Sequence, residues 1–315
     1  MNRKAVYYLK LIFSLALLTY LITKVDFYSL YAILRDVKYF FLFCAVTLIF
    51  ADIALNAYLI KVIVSMKNYD DSLIKFIEMY LVSGFWGMML PSSMGTDVAV
   101  TYRLSRTSLS GVDSITSMIA LRVFTSLPLF VLAFLGSFLT YSVLKHNATV
   151  LYIIVSCLLY FSLFALMINR NILNYILNKF VRYEHYRIVR KIIEFKKSYI
   201  QLQNHRLLPK LLTVSFVSKG ASVLSVFFVA LALNINTSPI YFLVFVPTVI
   251  VITMVPVSVA GIGVREASFV YLFSQVGMMP EMAFSISIIT FFLILLVNMT
   301  GGVIYLKNTL KYREV

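Results

Sequence analysis

Charged side chains are scarce in this sequence of 315 residues. Asp, Glu, Lys and Arg make up 13% of the chain, whereas hydrophobic residues make up 61%, and the mean hydropathy is +0.91. Soluble domains carry about 25% charged residues, so this chain lacks the polar surface that a soluble protein needs. The composition therefore predicts an integral membrane protein.

Cysteine and histidine are rare as well, with two and three residues. Both cysteines lie in apolar runs, so neither a disulfide framework nor a zinc site is indicated. The histidines are far apart in predicted loops, which argues against a clustered metal site. P-loop, dinucleotide and Gly-x-Ser-x-Gly motifs are missing too. We therefore expect no cofactor and no enzymatic activity, although an embedded lipid transferase that uses Asp97 and Glu266 stays open.

Alternating apolar and polar residues, which a membrane-spanning β-barrel requires, are absent, whereas long apolar runs recur. These runs predict an all-α polytopic protein with eight main segments and weaker pieces at 94–104 and 264–276. The main segments are 5–23, 39–64, 73–90, 115–140, 150–168, 208–233, 239–257 and 282–306.

Acidic residues are also few, which leaves a net charge of +15 concentrated in loops. If all eight segments crossed the membrane, most loop Lys and Arg would lie outside, against the positive-inside rule. If 73–106 and 239–280 are re-entrant hairpins, 19 of these residues lie inside and only 4 outside. We therefore predict six spanning helices, two re-entrant hairpins and both termini on the cytoplasmic side of the inner membrane.

This topology divides a single transmembrane domain, residues 1–315, into two halves. Residues 1–168 contain the first hairpin, and residues 208–315 contain the second. Between them, residues 169–207 combine nine Lys and Arg with apolar residues at helical spacing. This pattern predicts an amphipathic helix on the cytoplasmic surface, held by anionic lipid rather than by nucleic acid.

Each predicted hairpin contains a helix break, at Pro91-Ser92-Ser93-Met94-Gly95-Thr96-Asp97 and at Pro256-Val257-Ser258-Val259-Ala260-Gly261-Ile262-Gly263-Val264-Arg265-Glu266. Backbone that is not helical survives at membrane depth only where protein or a wet cavity covers it. Two such hairpins that enter from opposite faces are typical of an inverted repeat. Glycine, serine and arginine beside free N–H groups suit a phosphate. The alternative is that Arg265 and Glu266 mark a membrane boundary.

Other polar residues interrupt the apolar segments. Arg122 lies deep in a predicted span and needs an acidic partner, for which Asp97 or Glu78 is nearest in sequence. Asp52 and Asn56 are four residues apart and so share a helix face. For these residues, a structural role and a role in lining a substrate path both stay open. The secondary site candidates are Asp52, Asn56, Glu78, Arg103 and Lys219.

The run Met89 to Asp97, the arginine in Ala120-Leu121-Arg122, and the run Pro256 to Glu266 followed by Gly277 resemble the flippase-like transmembrane family. This is the family of the membrane region of lysylphosphatidylglycerol synthase/flippase proteins. The first motif departs from the family pattern of Gly-Gly-Asp followed closely by Arg, because Thr96 replaces the second glycine. The resemblance implies a stand-alone lipid translocator without the aminoacyl-transferase domain.

We therefore predict a lipid translocase that moves a phospholipid or a lipid-linked precursor between leaflets. Its partners would be membrane lipids with an anionic or zwitterionic head group, a separate lipid-modifying enzyme and a second copy of the chain. A solute transporter coupled to H⁺ or Na⁺ and a membrane scaffold are the alternatives. The predicted substrate-binding residues are Pro91, Ser92, Ser93, Gly95, Asp97, Arg122, Pro256, Ser258, Gly261, Gly263, Arg265 and Glu266.

Cysteine labelling tests the predicted orientation. After replacement of the two native cysteines, Lys191→Cys should react with a membrane-impermeant maleimide only in inside-out vesicles, because the basic loop is expected on the cytoplasmic side. Lys145→Cys, in a predicted exterior loop, is the matched control and should react in intact cells. Labelling of position 191 from outside intact cells would reverse the arrangement.

Overall fold

A computed structural model describes residues 35–89, 95–139, 154–155, 158, 207–254, 258 and 261–311. The predicted segment 5–23, most of 150–168 and the basic loop 169–207 lie outside these residues. The centres of both predicted breaks also lie outside the described residues, namely Pro91, Ser92, Ser93 and Pro256. Within the described ranges the chain forms helices and no strand.

Eight helices form the described part of the chain, which confirms the prediction of an all-helical membrane protein. Their ends lie within a few residues of most predicted segments, and the weaker pieces 94–104 and 264–276 are short helices of their own. The helices are α1 Tyr39–Ser65, α2 Leu73–Met89, α3 Gly95–Leu104, α4 Gly111–Leu139, α5 Leu208–Ala232, α6 Pro239–Met254, α7 Val264–Ser274 and α8 Pro280–Lys311.

Four of these helices are long and apolar enough to cross a bilayer, over Tyr39–Ser65, Gly111–Gly136, Leu208–Ala232 and Pro280–Thr309. Helix α6 is apolar as well but has only 16 residues. Large apolar side chains cover the outer surface, and Tyr39, Phe40 and Phe43 are each more than 70% exposed. An apolar exterior of this kind is stable in lipid, because the side chains then contact hydrocarbon instead of water.

The eight helices form two quartets, α1–α4 and α5–α8, each with the order long, short, short, long. In each quartet the two short helices pack against one another, as α2 with α3 and α6 with α7. Between the quartets, α1 packs along α5, α2 packs on α8, and α6 packs on α4. In both the α2–α8 and the α6–α4 pairing, the second helix of one quartet packs on the last helix of the other. The two halves therefore use the same packing plan.

Two hydrophobic cores lie at opposite ends of the long helices. The first joins the end of α1, the start of α2, the end of α3 and the starts of α4 and α5, with Ile63, Phe76 and Leu104 at its centre. The second joins the end of α5, the starts of α6 and α8 and the end of α7 around Phe242 and Phe273, whose ring centroids are 4.9 Å apart. The open end of the α2–α3 pair, where α2 starts and α3 ends, therefore lies at the first core. The open end of the α6–α7 pair, where α6 starts and α7 ends, lies at the second.

Ion pairs border the first core near the ends of the long helices. Lys67 follows α1, and its Nζ lies 2.9 Å from Asp113 Oδ1 in the first turn of α4. Burial lowers the pKa of the Lys67 ammonium, and the hydrogen bond to Asp113 opposes that effect. Lys61 pairs with Asp70 at 2.8 Å. The Lys67–Asp113 contact ties the α1–α2 connection to the start of α4 at one end of the bundle.

Helices α2 and α8 cross at Gly301, where a side chain is excluded. A Cβ built at Gly301 overlaps the backbone of Leu81, whereas one built at Gly220 in α5 meets no atom within 4 Å. We expect Gly301→Ala to lower the unfolding free energy by about 1–3 kcal/mol through overpacking. Gly220→Ala is the matched control and should be neutral or slightly stabilising, because alanine favours the helix.

Thermal unfolding of the purified protein in one detergent measures both variants. Equal melting temperatures for Gly301→Ala and the parent protein would show that the α2–α8 crossing is looser than its geometry indicates.

Candidate functional site

The start of α7 is set by two glycines and a glutamate. Gly261 and Gly263 have φ angles of 77° and 83°, a left-handed conformation that residues with a Cβ rarely adopt. Gly263 is the N-cap, and its backbone N–H donates to Glu266 Oε2 at 2.7 Å. The glycines therefore allow the chain to turn abruptly, and Glu266 satisfies a backbone group that would otherwise lack a partner in an apolar environment.

The same glutamate holds Arg265. The Nε and Nη2 of Arg265 donate to Glu266 Oε1 at 2.9 and 2.6 Å, and Ser287 of α8 donates to that oxygen at 3.3 Å. The guanidinium also lies 4.5 Å from the centre of the Phe291 ring. Glu266 is fully buried and the Arg265 side chain is 18% exposed. Arg265 is therefore a compensated charge inside the protein and does not rest in bulk water.

Arg122 forms the second ion pair, and its partner is Asp97 rather than Glu78. Arg122 Nε donates to Asp97 Oδ2, and Glu78 has no ion-pair partner among the described residues. Arg122 lies about 17 Å along α4 from its start, near the middle of a bilayer if α4 begins at the surface. Its side chain is 43% exposed. The two terminal nitrogens have no acceptor within the described ranges, so they are available to a ligand.

A third ion pair joins the first helices of the two quartets. Asp52 of α1 lies 3.1 Å from Lys219 Nζ of α5, and Ser218 also donates to Asp52 Oδ1. Asn56 Nδ2 donates to the same carboxylate oxygen at 3.0 Å, one turn along α1. The prediction that Asp52 and Asn56 share a face is confirmed, and the carboxylate has three donors around it.

A cavity of about 250 Å³ lies between the quartets. Residues from both pairs of short helices line it, with Tyr80 and Thr96 from α2 and α3 and Thr253 and Arg265 from α6 and α7. Asp52 lies on its wall as well. Polar residues from both halves of the sequence therefore line one space between the quartets.

A larger groove of about 690 Å³ runs between α3 and α4, with Asp97 and Arg122 in its lining. The rest of its lining is mainly apolar, and Val98, Tyr102 and Ile115 are each close to half exposed at the outer surface. The groove is thus open to the surroundings of the bundle, and more so than the cavity.

The groove and the cavity are neighbours. Thr96 lines the cavity and Asp97 the groove, although the two residues are adjacent on α3. In the same way, Thr253 lines the cavity and Met254 the groove at the end of α6. One turn of α3 and the end of α6 therefore form the partition between the two spaces.

The predicted site residues divide between these spaces. Arg265 with Asp52 and Asn56 lines the cavity, and Asp97 with Arg122 lines the groove. Gly261, Gly263, the buried Ser258 and Glu266 lie in or beside the turn that starts α7. Gly95 begins α3 against the carbonyl of Gly87. Glu78 and Arg103 lie in neither lining, and Lys219 reaches the cavity only through Asp52.

Several polar residues of the site were not predicted. Thr290 and Asn298 of α8 and Tyr80 of α2 line the cavity, and Ser218 and Ser287 support its charged groups. Thr290, Ile294 and Asn298 follow one another at intervals of four, so polar residues recur on one face of an apolar helix. That spacing was a signal in the sequence. No His, Cys, Asp and Glu cluster suited to a metal ion occurs in the described ranges.

A family model described as the lysylphosphatidylglycerol synthase TM region matches residues 7–302, and this agrees with the resemblance of the two motifs. Searches of curated proteins and of solved structures find no significant match.

The Asp52–Lys219 pair should show strong coupling in a double-mutant cycle. Lys219→Met removes the counter-ion of a partly buried carboxylate and should lower the unfolding free energy by about 1.5–3 kcal/mol, the range for a hydrogen bond to a charged group, and Asp52→Asn in the same chain should restore most of that loss. The pair of Asp71 and Lys75, whose lysine is 67% exposed, is the control, where Lys75→Met should cost less than about 1 kcal/mol. Additive effects of the two changes at 52 and 219 would contradict a coupled pair.

Proposed function

The chain belongs to the family of the lysylphosphatidylglycerol synthase TM region, and from this premise we propose that it is an integral membrane lipid translocase. It would move a phospholipid or a lipid-linked precursor between the two leaflets. The observation that carries the proposal is the α3–α4 groove, in which an apolar lining open to the outside surrounds an arginine with uncommitted donors.

Different parts of the groove would bind the acyl chains and the head group of a lipid. Acyl chains contact exposed apolar residues such as Val98 and Ile115 without leaving a hydrocarbon environment. The terminal nitrogens of Arg122 suit phosphate oxygens, because a guanidinium presents paired donors at matching spacing. Asp97 holds the guanidinium through Nε and so keeps the other nitrogens available. A lipid head group would therefore bind near the middle of the bilayer while its chains stay outside.

From the groove, the head group would pass the partition of Thr96–Asp97 and Thr253–Met254 into the central cavity. Both sides of this partition belong to the ends of short helices, next to the two predicted breaks. A helix end leaves backbone N–H or C=O groups without helical partners, so the partition offers polar contacts along an otherwise apolar route. The acyl chains would follow at the surface of the bundle.

The topology that fits this mechanism has six spanning helices and two re-entrant hairpins, 73–106 and 239–280, related as an inverted repeat. Its support is the shared packing plan of the two quartets and the opening of α2–α3 and α6–α7 at opposite cores. Basic residues at the first core, such as Lys67, Arg103 and Lys210, favour that end as the cytoplasmic side. Both termini would then be cytoplasmic, in the inner membrane.

The proposal assigns translocation to this chain and lipid chemistry to another protein. Asp97 and Glu266, the carboxylates of an embedded transferase, are both held by arginines, which favours positioning over proton transfer. A separate lipid-modifying enzyme would supply or use the lipid, and a second copy of the chain could accompany it. Anionic lipids would also hold the basic loop 169–207.

A secondary transporter of a small solute is the second candidate. The cavity with Asp52 on its wall favours it, because ion-coupled transporters bind solutes near the bilayer midplane. A scaffold without transport activity is the third. The three differ in what crosses the bilayer: a lipid, a solute or neither.

Liposomes that contain the purified protein and fluorescent lipids test the proposal. The parent protein should exchange the labelled lipid between leaflets, and Arg122→Gln should slow this exchange by about tenfold or more, since a charge-assisted hydrogen bond contributes about 1.5–3 kcal/mol. The double variant Asp97→Asn with Arg122→Gln avoids an unpaired buried carboxylate and should be equally slow while folding normally.

Arg35→Ala, which changes an exposed arginine before α1, is the matched control and should exchange lipid at the parent rate. Arg265→Ala should also slow exchange because it changes the cavity wall. Absence of exchange by the parent protein for every head group, together with uptake of a solute, would favour the transporter. Exchange that survives both Arg122→Gln and Arg265→Ala would exclude the proposed path.

A further inference from the structure

The groove beside α3 reaches one end of the bundle. Along α4 its lining extends from Gly111, the first residue of the helix, to Arg122, which lies about 17 Å farther along the axis. Along α3 the lining extends from Asp97 to Tyr102 in the last turn and to Ser105, which follows the helix. Tyr102, Ser105 and Gly111 therefore form a groove mouth beside the first core, where α4 begins.

A polar stripe joins the groove mouth to the Asp97–Arg122 pair. Asp97, Thr101 and Ser105 all line the groove and follow one another at intervals of four, so they share one side of the chain. The Thr101 hydroxyl donates to the Asp97 carbonyl at 2.7 Å, and the Ser105 hydroxyl donates to the Tyr102 carbonyl at 2.8 Å. Each hydroxyl oxygen still has a lone pair that can accept a hydrogen bond. A polar head group would therefore meet an acceptor at each turn between the mouth and Arg122.

Arg106 lies at the groove mouth and is paired with a neutral group. Its Nε and Nη2 donate to the Tyr102 hydroxyl at 3.2 and 2.8 Å, and its guanidinium carbon lies 5.0 Å from the centre of the Tyr102 ring. Both residues are exposed. Within the described ranges no carboxylate forms an ion pair with Arg106. A positive charge without a counter-ion in this part of the chain therefore lies beside the groove.

Other basic residues at this end of the bundle have carboxylate partners. Three lysines have a carboxylate oxygen within 2.9 Å of the ammonium nitrogen, in the pairs Lys61–Asp70, Lys67–Asp113 and Lys75–Asp71. Arg106 differs because its partner is a phenol, which orients the guanidinium without cancelling its charge. This arrangement suits an anion that comes from outside the protein, because a charged donor strengthens the hydrogen bonds to it.

We propose that the groove mouth, with Arg106 held by Tyr102, is a loading site for the phosphate of a phospholipid from the leaflet at that end of the bundle. This inference rests on the proposed translocase function and adds a first binding position to it. An exposed cation at the membrane surface attracts an anionic head group, so the phosphate binds at Arg106 first. It then moves along Ser105 and Thr101 to Arg122. Because the mouth and Arg122 are about 17 Å apart along α4, the phosphate occupies them in turn.

The concentration dependence of lipid exchange measures the two positions separately. The purified full-length protein is reconstituted in phosphatidylcholine vesicles with increasing mole fractions of fluorescent phosphatidylglycerol. Arg106→Gln should raise the half-saturating mole fraction by about two- to fivefold, as expected for an exposed charge pair, and should leave the maximal rate unchanged. Arg122→Gln should lower the maximal rate instead. Arg106→Lys keeps the charge and should stay within about twofold of the parent half-saturation.

Lys210→Gln is the matched control. Lys210 is also exposed at this end of the bundle, with its ammonium nitrogen 5.2 Å from the centre of the Tyr58 ring, but neither residue lines the groove. This variant should keep the half-saturating mole fraction of the parent protein. An unchanged value in Arg106→Gln, or an equal increase in Lys210→Gln, would overturn the loading site.

Lipid binding without transport separates the loading site from the translocase proposal. The protein in detergent is mixed with equal amounts of phosphatidic acid and diacylglycerol that have the same acyl chains, and native mass spectrometry measures the retained lipids. The parent should prefer phosphatidic acid, and Arg106→Gln should reduce this preference by about two- to fivefold. If the preference depends on Arg106 but no lipid changes leaflet, the loading site holds and the translocase proposal fails. Lipid exchange with a preference that is independent of Arg106 would have the opposite meaning.

Inorganic phosphate distinguishes a lipid from a free anion. At a concentration equal to that of phosphatidic acid it should leave the retained lipid unchanged, because the apolar lining of the groove binds only the lipid. Displacement of phosphatidic acid under these conditions would show a site for a free anion and would overturn the proposal.

Discussion

The cost of a charge without a partner in a medium without water governs this structure. Arg122, Asp52 and Arg265 all lie in or beside apolar helices, and each has an opposite charge within hydrogen-bonding reach. An isolated charge at such a depth costs at least about 2.5 kcal/mol. Two of the pairs join separate helices, α3 with α4 and α1 with α5, whereas Arg265 and Glu266 are neighbours on α7. Charge compensation therefore links α3 to α4 and α1 to α5.

The same constraint acts on the backbone. At the start of α7, Glu266 accepts the N–H of Gly263 and holds Arg265, so one buried carboxylate satisfies a helix end and a guanidinium together. The third residue of α3 is the corresponding acid, Asp97, but its arginine comes from the following long helix. The two halves thus solve one problem with different donors. In the first half the arginine remains open to the groove, and in the second it is enclosed.

This difference divides the proposed site into two chemical environments. The groove beside α3 combines an apolar outer wall with guanidinium nitrogens that have no acceptor among the described residues, whereas the cavity combines compensated charges with neutral polar side chains. On α3 and on α6, adjacent residues line the two environments, Thr96 and Asp97 on α3 and Thr253 and Met254 on α6.

Composition and periodicity alone determined that the chain is a helical membrane protein, because long apolar runs have no other stable arrangement in lipid. They also placed the helices, marked two glycine-containing motifs, and required a partner for Arg122. The choice of Asp97 over Glu78, the pairing of Asp52 with Lys219, and the meeting of Thr290, Asn298 and Tyr80 in one cavity were decided only by the tertiary structure. Each joins residues on different helices, and helical periodicity states which face a residue occupies but not which helix packs against that face.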